Sequence, residues 1–310
     1  MQTPRSTAPN SNYYYRPAYQ MQPVKRQRKR KLLRALLFLS LAIGLFYHFV
    51  GLPGSSSHPG YSSSKKITAA NTMPVLISQA QSDTMAAHIN AVIAAHPELD
   101  IGVAVQNLND GKTYQYGENQ PFIAASISKV LTAVLFLHQV ENGNASLTDT
   151  LGGSTTQYQL QQLIEQSDNT AWENFNSLLG HQELSDYANQ IGLNNYDPDQ
   201  NILTVDTVAT LFGKLYKQKL LNGSDTKLLL SYMQNANETE YISASVPAGA
   251  KVYHKAGWLE DRVHDAAIID NGKHPYVLVI LSKARSGTYD TNAGKQVFAD
   301  ITSATAKVFL

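Results

Sequence analysis

The chain has 310 residues, 43% of them hydrophobic and none a cysteine, which is enough apolar material for a core that does not depend on disulfides. The net charge of +1 hides an asymmetry. Residues 1–34 carry nine Lys or Arg and no acid, while the other 276 residues hold 16 basic and 24 acidic groups. This acidic body argues against a nucleic-acid-binding domain, because phosphate recognition needs a basic face.

An apolar run follows the basic N-terminal region. Residues 1–34 begin with a Tyr-, Pro- and Gln-rich stretch without periodicity and are predicted to form a disordered cytoplasmic tail. Residues 35–52 read ALLFLSLAIGLFYHFVGL and contain no Asp, Glu, Lys or Arg. A helix of this length spans roughly 27 Å, which matches the hydrocarbon core of a bilayer. The basic flank predicts a single-pass protein of the cell membrane, with its N-terminus cytoplasmic and its later residues extracellular.

Two other interpretations of residues 35–52 are open. A cleaved signal peptide would have a similar apolar run, but its basic region would be shorter and an A-x-A site would follow it. A buried core helix would not follow seven basic residues between Lys25 and Arg34. An uncleaved signal anchor is therefore favoured. A flexible Ser- and Gly-rich tether is expected at residues 53–74, and one folded domain at residues 75–310.

The folded domain is predicted to begin with a helix and a β-hairpin. Apolar residues recur at helical spacing over Pro74–His96. Ile101–Leu108 alternates as a strand, Asn109-Asp110-Gly111 is typical of a turn, and Thr113–Tyr116 is expected to return as the partner strand. A mostly helical region follows from Ser126 to Gln234.

The chain is then predicted to return to the sheet. Three strands and a closing helix are expected at Lys251–Lys255, His264–Asp270, Tyr276–Ser282 and Ala293–Phe309. Asn271-Gly272, between the last two strands, is typical of a hairpin turn. Strands from both ends of the domain with helices between them predict an α+β fold, in which an antiparallel sheet is fed by both termini and carries a mostly helical insert.

The segment with the clearest chemical signal is Phe122-Ile-Ala-Ala-Ser126-Ile-Ser-Lys129. On a helix that starts near Ser126, the side chains of Ser126 and Lys129 share one face at positions i and i+3. A serine hydroxyl is a poor nucleophile unless a base lies within hydrogen-bond reach, and a lysine can serve if burial or a second cation lowers its pKa. The helix N-terminus would add free N–H groups near the reacting oxygen.

The pattern S-x-x-K is weak alone, because the chain contains it twice more. Ser62–Lys65 lies in the tether, where nothing would hold its geometry. Ser224–Lys227 precedes an apolar run, so Ser224 is predicted to be the N-cap of a helix. A capping serine beside a solvated lysine is also the ordinary interpretation of Ser126 when no other motif is considered.

Two further motifs change that interpretation. Ser167-Asp168-Asn169 is predicted to lie between or at the ends of helices, and Tyr253-His-Lys-Ala-Gly-Trp258 places a Lys-x-Gly sequence on a strand of the returning sheet. In this order and in these settings, the three motifs resemble those of the serine β-lactamase and penicillin-binding superfamily, with class A β-lactamases most similar. The resemblance covers roughly residues 75–310 and implies a β-lactamase-like fold.

The resemblance also implies a role for each motif residue. Ser126 would attack a carbonyl carbon and carry the acyl group, and Lys129 would take or relay its proton. Ser167 would pass a proton to the departing nitrogen, and Asn169 would hold the amide of the substrate. Lys255 would line the opposite wall, supply positive charge and help to lower the pKa of Lys129.

A glycine and a tryptophan complete the implied site. Gly257 would let its strand approach the substrate closely, and the backbone N–H groups of Ser126 and Trp258 would form an oxyanion hole. No cofactor and no metal is expected, because the His residues are scattered and no phosphate-binding Gly-rich loop occurs. The expected partner is a β-lactam or a peptidoglycan-type peptide.

Residues 191–204 depart from the class A pattern. Class A enzymes carry a glutamate in this region that activates the deacylating water, and this segment contains none. Asp197 and Asp199 are predicted to form an Asp-Pro-Asp turn, and Glu173, a possible substitute, is expected to be structural. Fast β-lactam hydrolysis is therefore not expected.

A second departure is Ala256, where the family usually has Thr or Ser. The missing hydroxyl removes one hydrogen bond to a substrate carboxylate, a loss of about 1.5–3 kcal/mol. Arg262 is a candidate to pair with that carboxylate instead.

Three functions follow from these motifs. An extracellular serine hydrolase or acyl-transferase, of the β-lactamase or D-alanyl-D-alanine carboxypeptidase type and with slow deacylation, rests on the nucleophile, base and proton relay. A non-turnover domain that binds or senses cell-wall fragments or β-lactams rests on the missing glutamate and Ala256. A purely structural wall-associated domain has only the tether in its favour.

Overall fold

The computed structural model describes residues 77–310. The predicted tail, membrane span and tether lie outside the described residues. Within 77–310, every helix falls short of the length or apolar character that a bilayer span requires. The helices are α1 Gln79–Ala95, α2 Lys129–Glu141, α3 Thr156–Glu165, α4 Asn169–Leu179, α5 His181–Gln190, α6 Val205–Tyr216, α7 Gly223–Gln234, α8 Ile242–Ser245 and α9 Thr291–Phe309.

The main sheet has five antiparallel strands in the order β2-β1-β9-β8-β7. Its strands are β1 Leu99–Asn107, β2 Thr113–Gly117, β7 Lys251–Leu259, β8 Arg262–Asp270 and β9 Tyr276–Ala284; the short strands are β3 Phe122–Ile123, β4 Thr150–Leu151, β5 Ser154–Thr155 and β6 Ile202–Leu203. Two strands come from the N-terminal part of the domain and three from its end, with helices between them. The predicted α+β fold with a sheet fed by both termini is thereby confirmed.

The strands of the closing sheet are longer than predicted. The predicted bounds stopped β7 at Lys255 and started β8 at His264, but the ladder continues to the pair Leu259 and Arg262. Only Glu260 and Asp261 remain for the turn. The register therefore closes this hairpin tightly. The Asn271 turn is present, with its Oδ1 accepting from the N–H groups of Lys273 and His274.

The sheet separates two apolar layers. On one face, Ala104, Val279 and Leu281 pack against the helical insert. On the other face, Val103 and Ile280 pack with the apolar residues of α1 and α9. Strand β9 is buried on both faces, which explains why its sequence is almost continuously apolar instead of alternating.

One predicted helix start is wrong. Asn222, and not Ser224, caps α7, since the Asn222 Oδ1 accepts hydrogen bonds from the N–H groups of Ser224 at 2.8 Å and Asp225 at 2.9 Å. Asparagine caps as well as serine does, so the local sequence allowed either start. Ser224 and Lys227 of this S-x-x-K pattern are both exposed on the surface.

Candidate active site

Ser126 lies on a 3₁₀ turn, Ala125–Ser128, that leads into α2. The α-helix begins at Lys129 and not near Ser126 as predicted. The residues before it are wound more tightly, and the first of them, Ala125, has a left-handed φ of 49°. From Ala124 to Leu137, Ser126 is the one residue that is not buried. The serine is therefore the accessible point of an otherwise buried segment.

Lys129 is buried, and its ammonium group faces the Ser167-Asp168-Asn169 motif. Its Nζ donates hydrogen bonds to the carbonyl oxygen of Ser167 at 2.5 Å and to Oδ1 of Asn169 at 2.7 Å, and it lies 3.4 Å from Ser167 Oγ. Burial, and then the charge of Lys255, lower the pKa of Lys129 to about 7. At neutral pH a large fraction of this lysine is uncharged and able to accept a proton.

Lys255 approaches from β7 and is also fully buried. Its Nζ donates to the carbonyl oxygen of Ala256 at 3.0 Å. Burial lowers the pKa of Lys255 to about 8, while the charges of Glu238 and Asp265 oppose this shift. The site thus holds two lysines whose charged forms are both destabilised.

The Ser167-Asp168-Asn169 motif forms the connection between α3 and α4, as predicted. Asp168 is the N-cap of α4, and its Oδ1 accepts from the N–H of Ala171 at 2.6 Å. Ser167 has a left-handed φ of 55°. This turn points the Ser167 carbonyl and the Asn169 side chain at the same ammonium group.

Gly257 brings β7 against the nucleophile segment. A Cβ on this residue would lie 2.6 Å from the backbone nitrogen of Ser126 and 3.1 Å from the Cβ of Ala125. No other residue fits without moving one of the two segments. Trp258 follows at once, with 61% of its surface exposed. The two backbone segments of the predicted oxyanion hole are therefore in contact through Gly257.

The seven predicted residues thus fall on three adjoining parts of the fold: the turn into α2 with the first residue of that helix, the connection into α4 with the first residue of that helix, and the edge strand β7. A family model described as "Beta-lactamase enzyme family" matches residues 84–309. The chain belongs to this beta-lactamase enzyme family. The resemblance inferred from the three motifs is confirmed, and the chain is a β-lactamase-type serine hydrolase.

Solved structures show the same fold. A mutant of PBP-A, in an acyl-enzyme complex with penicillin G, is 23% identical with a TM-score of 0.67, over 74% of this chain and 96% of that one. A β-lactamase from Xanthomonas campestris is 20% identical with a TM-score of 0.68, over 74% and 98%. An ancestral class A β-lactamase is 19% identical with a TM-score of 0.67, over 73% and 100%. No curated protein sequence matches the chain.

Within this beta-lactamase fold, Asn201 holds the nucleophile segment and was missed by sequence reasoning. Its Nδ2 donates to the carbonyl of Ala125 at 3.0 Å, and its own carbonyl accepts from the N–H of Ala124 at 2.7 Å. It has a left-handed φ of 52°. The adjacent pairing of Phe122 with Leu203 keeps the two segments in register. No local pattern distinguishes this asparagine from the turn residues around it.

His264 supports the same segment from β8. The N–H of Ser282 donates to its Nδ1 at 3.1 Å, so the ring proton is on Nε2, which donates to the carbonyl of Ile123 at 2.9 Å. Complete burial lowers the pKa of His264 to about 4 and keeps the ring neutral. His264 thus bonds to a residue 141 positions away in the sequence, and motifs, which are local, do not indicate such a contact.

Trp172 is a third residue that the sequence did not reveal. Its ring centroid lies 5.5 Å from the Nζ of Lys129, and its Nε1 donates to Thr132 Oγ1 at 3.2 Å. The indole therefore faces the lysine with its π surface, which favours the charged form of the amine. The Thr132 bond fixes the ring in that position.

The segment 191–204 forms the predicted acidic turn. Asp197 Oδ1 accepts from the N–H groups of Asp199 at 2.9 Å and Gln200 at 3.1 Å, and these contacts contribute to a lowered pKa of Asp197. Asp199 is exposed and contacts His181 at 2.6 Å. Glu173 is exposed on α4. All three carboxylates thus occupy ordinary structural or surface positions.

Arg262 does not serve the site in the way that the sequence suggested. Its Nε and Nη2 each donate to the carboxylate of Asp261 at 2.7 Å, and the arginine is buried. This paired guanidinium would have to abandon Asp261 to bind a substrate carboxylate. Ala256 offers no hydroxyl either. Within residues 77–310, no group of three or more His, Cys, Asp or Glu is arranged to hold a metal ion.

Proposed function

We propose that this beta-lactamase family member is a membrane-anchored, extracellular enzyme whose Ser126 forms an acyl-enzyme with β-lactams or peptidoglycan-type peptides. The observation that carries the proposal is the environment of Lys129. This lysine is buried, has a pKa of about 7, and touches Ser167 and Asn169 one turn away from the accessible serine. Ser126 is also the one accessible residue of a segment that is otherwise buried from Ala124 to Leu137.

Acylation uses the neutral form of Lys129. The Oγ of Ser126 adds to the carbonyl carbon of the substrate, and Lys129 takes the hydroxyl proton, directly or through a relay. The carbonyl oxygen becomes an oxyanion that accepts from the backbone N–H groups of Ser126 and Trp258, and each such donor is worth about 3 kcal/mol in the transition state.

Collapse of this intermediate breaks the C–N bond. The proton passes from Lys129 to Ser167, and the Ser167 hydroxyl delivers it to the departing nitrogen. The 3.4 Å separation of Lys129 Nζ from Ser167 Oγ supports this relay. Asn169 holds the amide of the substrate, and Lys255 keeps a positive charge on the opposite wall.

Hydrolysis of the acyl-enzyme is proposed to be slow. Asp197 already accepts three hydrogen bonds inside its own turn, two from backbone N–H groups and one from the side chain of Gln200 at 2.9 Å. A carboxylate engaged in this way is a poor base for a water molecule. The solved PBP-A mutant, described as an acyl-enzyme complex with penicillin G, supports a β-lactam as the first ligand to test.

The proposed location rests on the sequence of residues 1–74. The basic cluster before residues 35–52 orients a single span with the N-terminus in the cytoplasm. The Ser- and Gly-rich tether at 53–74 would then carry the catalytic domain outside the cell, where peptidoglycan-type substrates occur.

Intact-mass analysis of the full chain after exposure to penicillin G tests the proposal. A one-equivalent adduct is expected on the wild type and on Ser224→Ala, which alters the exposed serine of the other described S-x-x-K pattern. None is expected on Ser126→Ala. The adduct should persist after the free drug is removed.

Two outcomes would contradict parts of this proposal. Hydrolysed drug without an adduct, lost in Ser126→Ala, would mean that deacylation is fast and that an unrecognised base exists. If the chain formed no adduct and hydrolysed neither penicillin nor a D-alanyl-D-alanine peptide, the acyl-enzyme would be excluded and the non-turnover binding domain would be favoured.

A further inference from the structure

The carboxylate of Glu238 lies beside this site, on the segment between α7 and α8. Glu238 has a left-handed φ of 64°, a conformation that costs a non-glycine residue free energy. The segment is tied at both ends. The N–H of Asn237 donates to the carbonyl of Glu165 at 2.9 Å, and the N–H of Ile242 donates to Asp265 Oδ2 at 3.1 Å. Glu238 is therefore held next to the end of α3, two residues before Ser167.

A buried contact between a histidine and an aspartate reinforces this position. His254 Nδ1 contacts Asp265 Oδ1 at 3.1 Å, and both side chains are almost completely buried. Although burial opposes it, the charge of Asp265 raises the pKa of His254, and the backbone carbonyl of Ala236 acts in the same direction. Asp265 thus links β7 and β8 to the C-terminal end of the segment that carries Glu238.

The side chain of Glu238 reaches the other wall of the site. Its Oε1 accepts from Trp258 Nε1 at 2.8 Å, while Oε2 is buried and has no hydrogen-bond partner. Trp258 directly follows Gly257, which packs on Ser126. The carboxylate is therefore bonded to the strand that would supply the oxyanion hole, on a segment tied to the end of the helix before Ser167.

The charge of Glu238 acts on both lysines of the site. It raises the pKa of Lys255 more than any other charged group does, and it also raises the pKa of Lys129. Among the described residues it forms no ion pair. Its charge is thus only partly compensated. Ala256 and the Asp261-bound Arg262 provide no group that would compensate a second carboxylate there.

We infer that Glu238 determines specificity on the leaving-group side of the site: it favours substrates whose departing portion is cationic or neutral, and it slows without preventing acylation by penicillin G and D-alanyl-D-alanine peptides, whose departing portions carry a carboxylate. This inference rests on the proposed acylation of Ser126. A substrate amine could take the free hydrogen-bonding capacity of Oε2, whereas a substrate carboxylate would face a like charge at short range.

Three thioesters with one common acyl-D-alanyl group test this selectivity. Their leaving thiols are thiocholine (cationic), 2-mercaptoethanol (neutral) and thioglycolate (anionic). The Ser126 Oγ–carbon bond forms, the carbon–sulfur bond breaks, and the serine proton ends on the departing thiol. All three give the same acyl-enzyme, so differences in kcat/KM report acylation alone. The chain adds no thiol signal of its own because it contains no cysteine, and thiol released without enzyme is subtracted.

The wild-type full chain is expected to react about tenfold faster, in kcat/KM, with the cationic thioester than with the anionic one, a difference of about 1.4 kcal/mol. Glu238→Gln should reduce this ratio by about tenfold. The neutral thioester serves as the internal reference, because a change in the pKa of Lys129 affects all three alike. Glu240→Gln makes the same charge change on an exposed neighbour and should leave the ratio unchanged.

Each outcome is decisive. A wild-type enzyme that reacts equally well with the cationic and anionic thioesters overturns the inference without any variant. An unchanged ratio in a folded Glu238→Gln also overturns it, while thiol release that depends on Ser126 leaves the proposed function intact. If the chain neither releases thiol nor forms a penicillin adduct, the proposed function fails and the inference fails with it.

Discussion

The nucleophile segment, residues 124–137, and the acidic segment, residues 191–204, both approach the site but are built on different principles. In the first, every residue except Ser126 is buried, and Lys129 has a pKa lowered to about 7. In the second, the carboxylates are exposed or engaged in their own turn, and Asp197 has a lowered pKa because backbone and side-chain donors stabilise its charge.

The difference separates the two half-reactions. Forming an acyl-enzyme needs a nucleophile, a base of suitable pKa and a relay. In the proposed mechanism the nucleophile segment supplies the first two, Ser126 and Lys129, and Ser167 supplies the relay. Hydrolysing it needs a base that can bind a water molecule, and a base near neutral pH usually has a raised carboxylate pKa. The pKa of Asp197 is instead lowered. The acidic segment supports Ala125 through Asn201, and in the proposed mechanism it supplies no such base.

Lys129→Met should give the largest effect. Removing the base while keeping the side-chain volume is expected to slow acylation by penicillin about a thousandfold, measured as adduct formation over time by intact mass. Lys227→Met, in the exposed S-x-x-K pattern, should leave the rate unchanged. A loss smaller than tenfold in Lys129→Met would mean that another group takes the serine proton.

The pH dependence of wild-type acylation tests the same residue. If Lys129 acts as the neutral amine with its pKa of about 7, the acylation rate should fall about tenfold for each unit below pH 7. The rate should level off above pH 7 until Lys255, with a pKa of about 8, loses its charge. A rate that stayed constant from about pH 5 to 8 would contradict the role of Lys129 as base.

Gly257→Ala should give an intermediate effect. The new Cβ would lie 2.6 Å from the Ser126 nitrogen, so the strand or the nucleophile turn must move, and we expect acylation to slow by about tenfold to a hundredfold. Gly223→Ala is the matched control, because its Cβ would meet only the flexible end of Gln218 at 3.2 Å. Equal acylation rates in the two variants would show that the close approach of β7 is unimportant.

Asp197→Asn and Asp199→Asn should give the smallest effect. If neither carboxylate activates water, the lifetime of the penicillin acyl-enzyme should change by less than about threefold, followed by intact mass after free drug is removed. A tenfold longer lifetime in either variant would place a deacylating base in the acidic segment. The two segments would then no longer differ in the way described above.

The sequence predicted the parts of this molecule that local patterns encode. The strands with apolar character, the polar triplet between helices and the Lys-x-Gly strand all lie where their motifs indicated. The start of α2 was misjudged, because the left-handed φ of Ala125 is imposed by contacts with Asn201 and Gly257, far away in the chain. Local propensity does not record such contacts.

The functional residues that the sequence did not reveal were missed for the same reason. His264 and Glu238 act on groups that are distant in sequence, and neither belongs to a recognisable spacing. A lone histidine on a strand is usually a satisfied core residue, and a lone glutamate after a helix is usually solvated. Only the folded contacts distinguish His264, bonded to Ile123, and Glu238, bonded to Trp258.

The position of β9 in the sheet has a consequence for biosynthesis. This strand lies between β1 and β8, so the first and last parts of the domain are joined only when β9 has been inserted. Gly257 on β7 and His264 on β8, which position the nucleophile turn, belong to the C-terminal part of the sheet. A ribosome that has released Ser126 must still deliver well over a hundred residues before the serine can be held in place. Capture of a penicillin by a nascent or refolding chain would therefore report completion of the last long-range pairing, which is a slow step in sheets of this kind.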